Sequence, residues 1–147
     1  MTELETFKDL FDYALWANTQ WIDAAKGIEG GEARLRHILK SEEIWLSRCQ
    51  GRPADIDEEE ELGQTAIRNH AGWVNYLANA DLNADISYHS LDGVPYTSAL
   101  RDILHHVVNH GTYHRGEMRG YYARANRDDF PETDYIGYAR QGRAGRQ

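Results

Sequence analysis

Cysteine is nearly absent from this 147-residue chain: Cys49 stands alone. That excludes an internal disulfide framework and any zinc site built from several thiolates. No apolar run approaches the ~20 residues of a membrane span. Basic charge is in deficit, with 16 Lys and Arg against 24 Asp and Glu and a formal charge of -8. Sequence-independent binding to nucleic acid or to an anionic membrane needs a net basic surface, so neither partner is expected. The start, M-T-E-L-E-T-F-K-D-L, lacks the basic and apolar stretches of a signal peptide. A cytoplasmic location is expected, where one reduced thiol is ordinary. There is no G-x-S-x-G elbow, no Walker loop and no G-x-G-x-x-G.

What is present is enough for a core. Hydrophobic residues make up 41% of the chain, which argues against general disorder and for one domain over residues 1–147. Much of the negative charge is local. Asp55 to Glu61 holds six acids in seven residues, and without them the balance is −2. The run reads as a solvated helix start, where acids complement the N-terminal dipole. Residues 139–147, with Arg140, Arg143 and Arg146 among Gly and Gln, read as a flexible tail.

Four segments have helical periodicity. Residues 2–26 repeat Phe7, Phe11, Leu15, Ile22 and Ala25 and break at Gly27, Gly30 and Gly31. Residues 32–50 carry Leu35, Ile38, Leu39, Trp45, Leu46 and Cys49 on one stripe and stop at Gly51-Arg52-Pro53. On that stripe Cys49 reads as a small core residue and not as a nucleophile. Residues 57–79 group Ala66, His70, Trp73, Val74 and Leu77. The fourth segment covers residues 98–125, with Ser98 as its N-cap. Between the third and fourth, Asp92-Gly93 flanked by apolar residues signals a β-hairpin packed on the helices. The text after Asn126 reads as loop. The expected fold is all-α, a four-helix bundle with a short β-hairpin between helices three and four. Trp16, Trp21, Trp45 and Trp73 are expected in its core or at an interface. Gly116 and Gly120 sit four apart inside the last helix, at up to ~1 kcal/mol each relative to Ala. They predict either a homodimer contact or close packing within the bundle.

Histidine is the notable residue: seven in all, four of them between His105 and His114. At about 100° per residue, His106, His110 and His114 share a face with Ile103, Val107 and Tyr121, and His105 projects the other way. Imidazoles at i and i+4 can hold one divalent cation. The plainer alternative is buried neutral rings hydrogen-bonded to backbone or carboxylates. A metal needs a further ligand from another segment, and His37, His70 and His89 are the candidates. Periodicity slightly favours His70, on the apolar face of its helix, over His37 on the flank of its stripe.

Several stretches resemble the DinB/YfiT-like superfamily: F-x-Y-x-x-W-A-N at Phe11 to Asn18, L-R-H-I-L-K-S-E-E-I-W-L-S-R-C-Q-G at Leu35 to Gly51, L-H-H-V-V-N-H-G-T-Y-H-R-G-E at Leu104 to Glu117, and P-E-T-D-Y-I-G-Y at Pro131 to Tyr138. The resemblance implies a four-helix bundle with a metal-binding triad of His37, His110 and His114, and it overrides the preference for His70. His106 and His70 then become expected buried neighbours, and His89 and His105 peripheral. Two departures stand out. G-I-E-G-G-E after the first helix is shorter than the family's usual connection, which leaves the site's rim more open. Glu117 stands where the family often has Gln after H-R-G. Glu117 is assigned as the catalytic candidate, with the roles of outer carboxylate, fourth ligand or general base all open to it; an exposed Glu paired with an Arg is the plain alternative.

Three imidazoles with an open position suit a catalytic divalent transition metal, with zinc or nickel placed first. The resemblance further implies a small metalloenzyme, either a metal-dependent hydrolase or a thiol S-transferase using a low-molecular-weight thiol such as bacillithiol or mycothiol. A small-molecule substrate is expected. The competing expectation is a non-catalytic stress-response or binding module in which the metal is structural or absent.

Overall fold

The computed structural model describes residues 1–142. The order is α1 (Glu3–Lys26), α2 (Gly31–Gln50), α3 (Leu62–Leu77), β1 (Asp85–His89), β2 (Pro95–Ala99), α4 (Leu100–Arg124) and α5 (Tyr135–Arg140). The expected all-α bundle with one hairpin between its third and fourth helices is what the chain forms.

Helix α1 begins where its sequence dictates. The Thr2 hydroxyl accepts from the Glu5 N–H while the Glu5 carboxylate accepts from the Thr2 N–H, a reciprocal capping box. Helix α2 ends at Gly51, whose φ of 66° only glycine adopts freely, and the Arg52 N–H donates back to the Ser47 carbonyl at 3.1 Å.

The acidic run differs from expectation. It is not a helix start: α3 begins only at Leu62, and Glu61 alone caps it, accepting from the Gly63 and Gln64 N–H groups at 3.0 Å each. Like charges three and four apart oppose winding, and cations outside the run hold it as a loop with one turn at Asp57 to Glu60 instead. Glu58 pairs with Lys40, and Arg68 bridges Asp55 and Glu60. Glu43 anchors the loop from α2. Its carboxylate takes both Arg52 Nη groups, at 2.7 and 3.1 Å, and the Asp55 N–H at 2.7 Å. Burial alone would raise the Glu43 carboxyl, but the Arg52 fork, the Asp55 N–H and Arg68 together hold it below its ordinary value. A carboxyl depressed in the native state stabilises the fold above its unfolded pKa of about 4.3 and loses that contribution as pH falls through the native value. Glu43→Gln is expected to cost about 1–3 kcal/mol near neutral pH. The difference from the parent chain should shrink towards roughly pH 3, which urea midpoints at the two pH values would measure.

The hairpin turns through residues 90–94, with Gly93 at φ 83° and the Ser90 N–H on the Val94 carbonyl at 2.8 Å. Ile86 and Tyr88 lay its inner face on the bundle. Ser98 does not cap α4. It lies in β2 and shares a 2.9 Å hydrogen bond with the Tyr88 hydroxyl. The strand runs straight into the helix, and the first helical N–H groups are met by backbone instead. Leu100 donates to the Ala84 carbonyl at 2.8 Å and Arg101 to that of Leu82 at 3.3 Å.

Helix α2 packs on α4, and α3 packs on α1 and α2. Phe7, Phe11, Trp73, Leu100 and Leu104 fill the hairpin end of the core. Trp21, Leu35, Leu39, Met118 and Tyr122 fill the other. Trp16 and Trp45 sit at the edge of the core, half-buried. The segment after Asn126 is not all loop. Tyr138 of α5 is buried against Tyr13 and Ala17, and Thr133 is tied to α1 twice. Its carbonyl accepts from the Tyr13 hydroxyl at 2.5 Å and its hydroxyl from Trp21 Nε1–H at 3.1 Å. Ala139 and Arg140 of the expected tail close α5, and residues 143–147 lie outside the described residues. Apart from the adjoining residues and backbone of α4 itself, no described atom approaches within 4 Å of where a Cβ on Gly116 or Gly120 would stand. The close packing within the bundle expected there does not occur. No helix among the described residues is long and apolar enough to cross a membrane.

Candidate metal centre

Two adjacent helices bring three imidazoles together. His37 projects from α2, and His110 and His114 lie one turn apart on α4. One ligand nitrogen from each can be chosen so that all lie within 4.8 Å of one another. His37 Nε2 is 3.2 Å from His110 Nε2, and the His114 ring centroid lies 4.6 and 4.4 Å from those of His37 and His110. His37 is exposed and the other two are half-buried, so the group opens to solvent on the α2 side.

The donor set fits a cation. Burial, then the neighbouring imidazoles His114, His37 and His106, pushes His110 down to about 4. Burial, His114 and Arg34 also lower His37. Both rings are therefore neutral near pH 7, the form that ligates. His110 Nδ1 is buried with no hydrogen-bond partner among the described residues, and such an atom is costly to leave unmet.

Glu117 supports the trio. Its Oε1 lies 2.7 Å from His114 Nδ1, and its Oε2 accepts from the Tyr121 hydroxyl at 3.0 Å. Arg34 Nε is 3.2 Å from Glu117 and 3.3 Å from the Tyr121 oxygen. The His114 contact, then Tyr121 and Arg34, keeps the Glu117 carboxyl below its usual range. A carboxylate on Nδ1–H fixes the ring's tautomer and leaves Nε2 free to ligate. Sequence reasoning did not single out Arg34 or the role of Tyr121. Their spacing carried the signal, since Arg34 lies one turn before His37 and Tyr121 one turn after Glu117.

The remaining histidines are placed elsewhere. His70 bonds Asp12 at 2.7 Å across α1 and α3 and is half-buried. His106, expected to be a buried neighbour, is exposed, with its ring 5.3 Å from Trp45 and 5.5 Å from His110. Its position is one turn further out along α4, where the α2 partner is the edge of an indole. His105 is exposed beside Phe7, and His89 is exposed at the end of β1. Burial pushes the Cys49 thiol up to about 11, against the nucleophilic reading.

Sequence reasoning also missed a buried polar chain behind the site. Asn18 Nδ2–H donates to Glu42 Oε2 at 3.0 Å, Asn69 Nδ2–H donates to Glu42 Oε1 at 3.1 Å, and Arg115 Nη1–H donates to Asn18 Oδ1 at 2.7 Å. Trp73 Nε1–H reaches the Glu42 carbonyl at 3.1 Å. Desolvation raises the fully buried Glu42 carboxyl.

Comparison with known proteins places this geometry in a family. The profile of the DinB family matches residues 2–141. Protein DinB of Bacillus subtilis (strain 168) is 25% identical over an alignment covering 86% of this chain and 89% of that protein. No solved structure matches with significance.

Proposed function

The chain belongs to the DinB family, and we propose that it is a small metalloenzyme acting through His37, His110 and His114, with thiol S-transfer as its chemistry and hydrolysis as the second reading. The convergence of three imidazoles at a solvent-open point carries the proposal. A divalent transition ion there, zinc or nickel first, supplies Lewis acidity that lowers the pKa of a bound water to about 7 or keeps a thiol as its thiolate. The chain's own residues hold and orient. Glu117 fixes the His114 ring, and Arg34 and Tyr121 fix Glu117. With both oxygens engaged, Glu117 is a positioning residue and not a free general base. Either nucleophile, thiol or water, would then depend on the ion and not on Glu117 for its activation.

Elemental analysis of protein purified without an affinity tag tests the first step, and a protein with no stoichiometric divalent metal would end the reading. A panel of electrophiles assayed with and without a low-molecular-weight thiol separates the chemistries. Thiol-dependent consumption is the expected result, and turnover without thiol would favour hydrolysis. No turnover by metal-loaded protein across the panel would favour a binding module. Glu117→Ala is expected to weaken metal binding about 10–100-fold. Glu117→Gln should restore most of the loss, because an amide oxygen can still accept from His114 Nδ1–H. Titration with a competing chelator measures both.

A further inference from the structure

A second polar feature lies on the side of α4 turned away from the histidines, roughly 200° round from His114 at the position of Gly116. There α1, α4 and residues 131–134 enclose a cavity of about 140 Å³. Arg115 lines it and is only 3% exposed. Its Nη1–H donates to Asn18 at 2.7 Å, its Nη2–H to the Thr112 hydroxyl at 3.3 Å, and its guanidinium lies 5.4 Å from the Tyr13 ring centroid. Its Nε–H has no acceptor among the described residues, and it forms no ion pair with a described carboxylate. Among the described residues Glu42 is hydrogen-bonded to it only through the Asn18 amide, and its charge acts on Arg115 across that gap.

A guanidinium stays protonated at any ordinary pH. Buried with an unmet donor and no direct counter-ion, it destabilises its surroundings unless an acceptor or anion meets it. The acids at the cavity, Glu132 and Asp134, are both exposed, and Glu132 stands 3.6 Å from Arg119. Water screens those two charges, whereas the field of Arg115 acts in the low-dielectric interior, so the buried cation prevails inside the cavity. Gly116 forms part of the wall. It is exposed, and apart from the adjoining residues and backbone of α4 nothing lies within 4 Å of where its Cβ would be. A side chain there would close off space that glycine leaves open. The cavity has room for a phosphate, a halide or a two- or three-carbon carboxylate.

We propose that this cavity is a binding site for a small anion, held by the buried Arg115 with Arg119 at its entrance. The proposal does not depend on the metal centre, and its test separates the two. The probe is trifluoroacetate, followed by fluorine NMR line broadening on the full chain before and after chelation of divalent metal, with acetate as competitor. The expected result is saturable binding with a dissociation constant on the order of 1 mM, displaced by acetate and unchanged by chelation. Arg115→Leu would disrupt the buried chain, so Gly116→Val, which fills open space, carries the mutational arm. It is expected to weaken binding at least about tenfold with the circular dichroism spectrum unchanged. Loss of binding on chelation would assign the anion to the histidines and overturn the proposal. Binding indifferent to Gly116→Val, or no saturation up to roughly 100 mM, would also overturn it. Crystals grown in bromide give an independent answer: an anomalous peak against Arg115 supports the site, and water alone in the cavity refutes it.

Discussion

Replacing His110 with alanine is expected to take the protein from about one divalent ion per chain to none detectable after gel filtration, with the helical circular dichroism spectrum retained. His110 is the middle member of the trio, 3.2 Å from His37 Nε2 and with its ring centroid 4.4 Å from that of His114. Its loss leaves one imidazole on each helix. Losing an outer partner costs about 10–100-fold in affinity, and losing a direct ligand exceeds that. The histidines outside the trio are the controls. His70→Ala breaks a hydrogen bond to Asp12 on the α1–α3 side, and His106→Ala removes an exposed ring against Trp45. Both should keep full metal stoichiometry. If either of them lost the ion while His110→Ala kept it, the assignment of ligands would be wrong.

The largest effect on stability is expected from Asn18→Leu. Asn18 is the joint between two buried ionisable groups, accepting from Arg115 and donating to Glu42. Leucine has similar bulk and neither function. Arg115 would lose its 2.7 Å acceptor and Glu42 one of its two amide donors, both without access to water. Breaking a buried charged network by removing one member costs about 3–5 kcal/mol. For a chain of this size that is a fall of roughly 10 °C or more in Tm. Asn18→Asp is the informative companion. It keeps the acceptor for Arg115 but sets a second carboxyl against Glu42, so its cost should ease as pH falls and the pair takes up a proton. A thermal melt of Asn18→Leu within about 2 °C of the parent would show that the chain is not held together through this residue.

The helices were legible because their apolar residues recur at helical spacing, and the register of His106, His110 and His114 followed from the same arithmetic. Which partner helix faces them did not. Periodicity placed His70 on an apolar face and His37 on a flank, but it says nothing about which helices are neighbours. Helix α2 packs on α4 while α3 packs on α1 and α2, so the flank of α2 reaches the imidazoles and the better-buried face of α3 does not. The resemblance at Leu35 to Gly51 supplied that pairing. The polar chain carried a signal that went unread. Asn18 falls between Ala14 and Trp21, Glu42 between Leu39 and Leu46, Asn69 between Ala66 and Trp73, and Arg115 between Val107 and Met118, each in the position its helix buries. A polar residue repeated at a core position on four helices predicts that those residues meet. The acidic run misled for the opposite reason. Its local chemistry suits a helix start, but Lys40 and Arg68 lie on other segments, and local sequence does not reveal such competitors.

The separation of the ligands along the chain also bears on synthesis. His37 and His110 stand 73 positions apart. At about 5–20 residues per second, roughly 4–15 s separate their appearance at the ribosome. During that interval a nascent chain offers an ion a single member of the trio, too little to retain it. The tie between Trp21 and Thr133 spans 112 positions and forms later still. On the proposed function, a metal ion could therefore be held only after α4 has emerged: it could reward the docking of α4 on α2 but could not template the first helices.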